Sequence, residues 1–260
     1  YIDLFGFDDK TGIDLPGEGN SIVKNPTNLG DVDLATTGFG QGIAITPIQL
    51  MCAINALGND GNLMKPKVVR KILDSDGKTV QTIKDTKVRK VVSTEVADKM
   101  REIMQYYVEK GGGGAAYIPG YRIGGKTGTA NIASNGGYSS DTVASFIAMA
   151  PMDDPQVTVL VMVTRPKGSE FGAVNAGPIV KRIMSNVLPY LGVSKKYAKN
   201  ESRDQETKVI VPKVSGMNSK SAINYLSARG LKYKAVPADS GKSFHVVDQY
   251  PKSGTKVSPH

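Results

Sequence analysis

The sequence predicts an α+β protein: a mostly antiparallel sheet flanked by helices, with a second, small unit at the C-terminus. Three observations point there. Two apolar runs, TVASFIAMA (142–150) and QVTVLVMVT (156–164), follow a strand-like stretch at 121–132, with turn-rich segments between them, the pattern of a three-strand antiparallel meander. Helical periodicity recurs at 94–110 and 178–191. The stretch SKKYAKNESRDQETK (194–208) is almost wholly polar and reads as a linker. The expected division is 1–193, a linker at 194–208, and 209–260.

Residues 10–18, KTGIDLPGE, form a turn-rich, irregular stretch. Thr46-Pro47 opens a helix over 46–57 that ends near Gly58, and Cys52 inside it reads as a small core residue. Residues 65–83 form a hairpin around Asp76-Gly77. In the helix at 94–110, Val96, Met100, Ile103, Met104 and Tyr107 make a stripe expected to be buried. Ser93 or Thr94 caps that helix and Gly111 ends it. The helix at 178–191 ends at Gly192.

Past the polar linker, VIVPKVSGM reads as a short strand and turn. Asn218 caps a helix whose apolar face is Ala222, Tyr225 and Leu226, and Gly230 terminates it. KYKAV and HVVDQYP read as two further short strands. One helix on so small a sheet gives a marginal core.

The net charge of +9 is unevenly placed. Residues 1–193 hold 20 Lys/Arg and 19 Asp/Glu, a net of +1, and residues 194–260 hold 13 and 5, a net of +8. A basic tail suits nucleic acid, anionic lipid, an anionic cell-wall polymer or a plain solvated surface. With one cysteine there is no disulfide framework and no thiolate metal cluster. His245 and His260 are the only histidines, so a Ser-His-Asp triad or a zinc site is hard to build. There is no apolar run of membrane-spanning length and no signal peptide. The opening residues, YIDLFGFDDKTG, read as the middle of a longer chain.

GYRIGGKTGTAN (120–131) carries the chemistry and admits two readings. Gly120, Gly125, Lys126 and Thr127 fit the phosphate-cradling G-x-x-x-x-G-K-[ST] loop. That loop needs a buried strand before it and a helix after it. Here four glycines (111–114) precede it and the glycine- and asparagine-rich GTANIASNGG follows, so the nucleotide reading fails on context. The second reading takes Lys126-Thr127-Gly128 as a K-T-G triplet on the first meander strand, with Lys126 at a free edge and a ligand lying along the backbone.

GIDLPGE (12–18), GQGIAITPIQL (40–50), YIPGYRIGGKTGTAN (117–131) and AGPIVKRI (176–183), in that order, resemble a class B penicillin-binding protein, of the sporulation-specific type or a close vegetative paralogue. V-P-x-V-x-G-M (211–217) and D-Q-x-P-x-x-G (248–254) resemble a PASTA domain. The resemblance implies an incomplete penicillin-binding protein/β-lactamase-like fold. It also implies a peptidoglycan D,D-transpeptidase that cross-links stem peptides through an acyl-enzyme and is inhibited by β-lactams.

In that family Lys126 would be a catalytic residue, binding substrate and supporting proton transfer. Thr129 would supply an oxyanion N–H. Thr127, Gly128, Thr129 and Asn131 would hold substrate, with the two threonine hydroxyls on its carboxylate. The family's S-x-x-K nucleophile motif and S-x-N motif have no usable place ahead of Lys126 and are expected upstream of Tyr1. The chain alone would then be inactive. The resemblance further implies stem peptides or a lipid-linked precursor as substrate and the upstream half of the enzyme and a glycosyltransferase as partners. It implies the outer face of the cell membrane as location, with the anchor upstream, and no cofactor, metal or nucleic acid. Two rivals remain: a non-catalytic cell-wall-binding or scaffold module, and a serine β-lactamase or carboxypeptidase, against which the PASTA-like tail and GIDLPGE argue. The tail ends at VSPH, where a PASTA unit is expected to run on into its last strand.

Overall fold

The computed structural model describes residues 1–24, 26–134, 137–197, 209–227, 229, 231–236 and 244–257. The chain divides into two units, Tyr1–Lys196 and Tyr197–His260. In the first, α1 (Asp31–Gly38) and α2 (Pro47–Gly58) precede four short strands, β1 (Asn62–Met64), β2 (Lys71–Leu73), β3 (Thr79–Thr82) and β4 (Lys87–Lys90). The helix α3 (Thr94–Lys110) leads to the meander β5 (Gly124–Ser134), β6 (Gly137–Ala150) and β7 (Val157–Thr164). A short α4 (Gly172–Asn175) and a longer α5 (Gly177–Tyr190) complete the unit.

The meander forms as the sequence predicts, in the order β5-β6-β7 with both pairs antiparallel. Its first strand begins at Gly124 rather than at 121, because Tyr121 is a buried turn residue whose carbonyl accepts from Ile123 N–H. The second half of β6, from Val143 to Ala150, is mostly apolar because it is covered on both faces. Phe146, Ala148 and Ala150 pack with Val180, Met184 and Leu188, spaced one helical turn apart on α5. Met149, on the other face, packs with Leu57 of α2 and Met104 of α3. Helices on both faces of a central strand fix the whole meander, and β5 is left as an edge of this sheet.

Local chemistry sets the helices. Thr46 and Gln49 form a capping box at the start of α2. Gln49, 1% exposed, also donates through Nε2 to Phe7 O (3.2 Å) and Asp9 O (2.7 Å), tying the N-terminal segment down. Ser93 Oγ accepts from Val96 N–H at the start of α3, and Gly111 caps its end. Arg101 of α3 donates to Leu57 O (2.9 Å) at the end of α2 and pairs with Asp98.

The hairpin at 65–83 forms as β2 and β3 around Asp76-Gly77. The β1–β4 pair that frames it, and α1, carry no clear sequence signal, since three- and four-residue strands are too short for a period. The stripe on α3 needs correction. Met104 is buried and Tyr107 half-buried, but Val96, Met100 and Ile103 are 47%, 38% and 52% exposed. The helix is turned so that the small Ala97, with Met104 and Val108, faces inward. Size decided this where hydrophobicity did not: Ala97 lets the helix sit close.

The second unit pairs β8 (Val209–Ile210) with β9 (Lys256–Val257) and carries α6 (Ser219–Ser227). Asn218 Oδ1 accepts from Ser221 N–H as the cap, and Ala222 is buried while Tyr225 stays 39% exposed. Two expectations fail here. KYKAV is not a strand, and HVVDQYP contributes only a single bridge, His245 to Asn218. Gln249 satisfies backbone groups outside any ladder: its side chain accepts from Val214 N–H (2.7 Å) and donates to Pro212 O (2.9 Å). Gly230 and most of the polar stretch at 194–208 lie outside the described residues.

Candidate active site

Lys126, Thr127, Gly128, Thr129 and Asn131 all lie on β5, the edge strand. Lys126 therefore sits inside a strand and not at a strand-to-helix loop, which rules out the phosphate-loop geometry. Its side chain is exposed, Thr127 is half-buried, and Thr129 and Asn131 are exposed. Alternation puts Thr127 and Thr129 on one face and Lys126 on the other. The lysine nevertheless comes back to its neighbour: Nζ donates to Thr127 O at 3.0 Å and lies 3.5 Å from Thr127 Oγ1. An ammonium and a hydroxyl thus stand together on an open edge, suited to a carboxylate.

Gly128 is closely packed against the neighbouring strand. A Cβ there would stand 2.5 Å from Ser145 Oγ on the adjoining strand. Behind it, a Cβ on Gly172 would stand 2.0 Å from Ser145 O and 2.8 Å from Gly128 O. The missing side chain of Gly128 leaves room for Ser145, and that of Gly172 lets α4 lie against the backbone of β5 and β6. Asn131 Nδ2 donates to Ser139 O (3.3 Å) across the hairpin, so one of its donors is used within the sheet.

The sequence does not single out Tyr107 for the site, and the structure puts it there. Its hydroxyl lies 2.6 Å from Thr127 Oγ1, and Lys126 Nζ stands 5.0 Å from its ring centroid. It was legible only as an apolar stripe residue, since nothing in the sequence shows which strand the end of α3 meets.

Two tetrapeptides ahead of Lys126 do fit S-x-x-K: Ser21-Ile22-Val23-Lys24 and Ser75-Asp76-Gly77-Lys78. A serine and lysine three apart become neighbours on a helix, and neither pair is helical. Lys24 is paired with Asp33 at 2.6 Å, and Ser75 and Lys78 lie on the exposed β2–β3 turn, where Lys78 N–H donates to Asp74 Oδ1.

The penicillin binding protein transpeptidase domain family matches residues 1–185. The chain belongs to that family. A PASTA domain matches residues 209–260. Among relatives of this transpeptidase-family chain is stage V sporulation protein D of Bacillus subtilis, 41% identical over 263 residues, covering 99% of this chain and 40% of that protein. Another is the probable peptidoglycan D,D-transpeptidase PenA of Neisseria gonorrhoeae, 33% identical over 69% of this chain and 30% of its own length. Among solved structures, penicillin binding protein 3 of Mycobacterium tuberculosis in complex with ampicillin superposes with a TM-score of 0.69 at 26% identity, over 76% of this chain and 46% of that one. The transpeptidase domain of Burkholderia pseudomallei penicillin-binding protein 3 gives 0.65 at 29% identity, over 76% and 58%. The chain spans 40% or less of the two sequence relatives named. The expected fold, a penicillin-binding-protein transpeptidase arrangement followed by a PASTA domain, holds.

Two carboxylates of the segment at 12–18 acquire a physical role. In GIDLPGE, Asp14 accepts from Val68 N–H (2.7 Å) and Val69 N–H (2.8 Å), and these bonds hold its carboxyl below the ordinary range. Glu18 closes the same segment by accepting from Thr11 N–H (2.6 Å) and Gly12 N–H (3.0 Å). Both act as clamps on irregular backbone. Among the described residues no helix is long and apolar enough to cross a membrane.

Proposed function

We propose that the chain is part of a serine D,D-transpeptidase that cross-links peptidoglycan stem peptides and binds β-lactams. The single observation that carries this is the placement of Lys126 Nζ beside the Thr127 hydroxyl on an exposed edge strand, within a chain of the transpeptidase family. Acyl transfer to a peptide ending in a free carboxylate needs a nucleophile, a base, an oxyanion hole and a carboxylate anchor. Thr127 and Thr129 hydroxyls are the anchor in this account. Lys126 binds substrate and supports proton transfer, the Thr129 N–H steadies the oxyanion, and Asn131 lines the rim. Gly128 leaves room for Ser145, Gly172 brings α4 against the strand, and together they hold the anchor in line.

The acylated serine is supplied by sequence outside these 260 residues, because neither S-x-x-K match here is helical. The substrate is a stem peptide, free or on a lipid-linked precursor, and a glycosyltransferase that makes the glycan strand is the natural partner. The protein works at the outer face of the cell membrane, anchored by another segment. The functional division is 1–193 for the transpeptidase part, 194–208 as linker and 209–260 as the PASTA-like unit. A second reading, a cell-wall-binding or scaffold module, is favoured for the tail alone by its PASTA match and the net charge of +8 over 194–260.

The test is incubation with benzylpenicillin of the full-length protein that carries this sequence, followed by intact-mass and peptide mapping. The proposal expects one adduct, on a serine outside this chain, lost in Lys126→Ala. No adduct on the folded protein would leave only the binding-module reading.

A further inference from the structure

Tyr107 makes three contacts that no ordinary core tyrosine needs. Its hydroxyl is 2.6 Å from Thr127 Oγ1. Its ring lies 5.0 Å from Lys126 Nζ, within cation–π range. And the chain that follows α3 is folded around it. A Cβ on Gly112 would stand 3.1 Å from the tyrosine hydroxyl, and one on Gly113 would stand 2.8 Å from Cδ1 of the ring. Gly111 N–H and Gly113 N–H both donate to Tyr107 O, at 3.0 and 3.1 Å. The glycine run, which breaks every sequence period, is a collar around one side chain.

We infer that Tyr107 is a positioning residue: it donates to Thr127 Oγ1, so that the threonine's own proton is turned to the ligand carboxylate, while its ring holds the Lys126 ammonium beside that hydroxyl. Either hydroxyl can be the donor on geometry alone, and the inference assigns that role to the phenol. A threonine hydroxyl has one proton and two lone pairs. Lys126 Nζ, 3.5 Å away, has protons only and so approaches a lone pair. With the phenol also donating, both lone pairs are engaged and the single proton is left to point outward. A carboxylate, which only accepts, requires that proton. The two residues α3 and β5 bring together are 20 apart in sequence, so the juxtaposition is a product of the fold.

The inference rests on the transpeptidase reading of the site. Its test is a double-mutant cycle in the full-length protein that carries this sequence, with benzylpenicillin as probe and the binding constant separated from the acylation rate constant. Tyr107→Phe keeps the ring and loses the donor. It is expected to weaken binding about three- to tenfold, the range for one hydrogen bond, with the acylation step changed less than about twofold. In a Thr127→Val background the same change is expected to cost less than about twofold, because the hydroxyl it acts through is gone. Tyr107→Leu, which also removes the ring from Lys126, should lose more than Tyr107→Phe. Equal losses from Tyr107→Phe in both backgrounds would mean a general structural role, and no loss in the native background would mean no role; either overturns the inference while leaving the transpeptidase reading intact. Native protein that is never acylated overturns both.

Discussion

Gly172→Ala tests how tightly the K-T-G strand is backed. The added Cβ would lie 2.0 Å from Ser145 O and 2.8 Å from Gly128 O. A carbon–oxygen contact settles at roughly 3.3 Å, so α4 must retreat by about 1.3 Å. Both obstacles are backbone carbonyls in a sheet, and neither can rotate away as a side chain would. The retreat does not stay local: Ala176 N–H donates to Gly172 O at 2.8 Å, and Ala176, fully buried, is where α5 begins. Overpacking of this kind costs about 1–3 kcal/mol. For a unit of this size that lowers Tm by roughly 2–12 °C. The assay is thermal unfolding of the chain followed by circular dichroism. Gly38→Ala is the control, since its Cβ would meet nothing within 4 Å and the change sits at the end of α1. It should be neutral or slightly stabilising, by up to about 1 kcal/mol. A Gly172→Ala protein that melts within about 1 °C of the native one would refute the packing argument.

Two further outcomes follow from single side chains. Gln49→Ala removes the donor to Phe7 O and Asp9 O and half of a capping box, at 1% exposure. It should cost about 2–4 kcal/mol in urea unfolding, and a loss below about 0.5 kcal/mol would show that the N-terminal segment is not held there. Asp14 has its carboxyl lowered from 3.8 by the N–H groups of Val68 and Val69, so its contribution is present above pH 3.8 and is lost as the pH falls through the lower folded value. The amide signals of Val68 and Val69 should titrate together with a midpoint below 3.8 and not at all in Asp14→Asn; a midpoint at or above 3.8 contradicts the clamp.

What the sequence made legible was what local patterning controls. The meander, the α2 and α3 caps and the edge position of Lys126 all follow from alternation, capping chemistry and turn residues. What it hid depends on which surfaces meet. The stripe on α3 was broad enough to be buried several ways, and Ala97, too small to count in a hydrophobic pattern, decided the orientation. Gly128 read as a substrate-holding position, and the space a side chain would take there is occupied by Ser145. Tyr107 joined the site only because α3 ends against β5. In the small unit, the sequence could not show that a side chain, Gln249, takes up the backbone groups of Pro212 and Val214.

The central claim is that Lys126 and Thr127 anchor a substrate whose acylated serine lies elsewhere in the protein. The most direct measurement is the mass of the benzylpenicillin adduct on the full-length protein, mapped to a residue, in native and Lys126→Ala forms. The account predicts a single adduct on a serine outside these 260 residues, lost or strongly slowed when Lys126 is replaced. An adduct on a residue of this chain, or one that forms equally fast without Lys126, would contradict it.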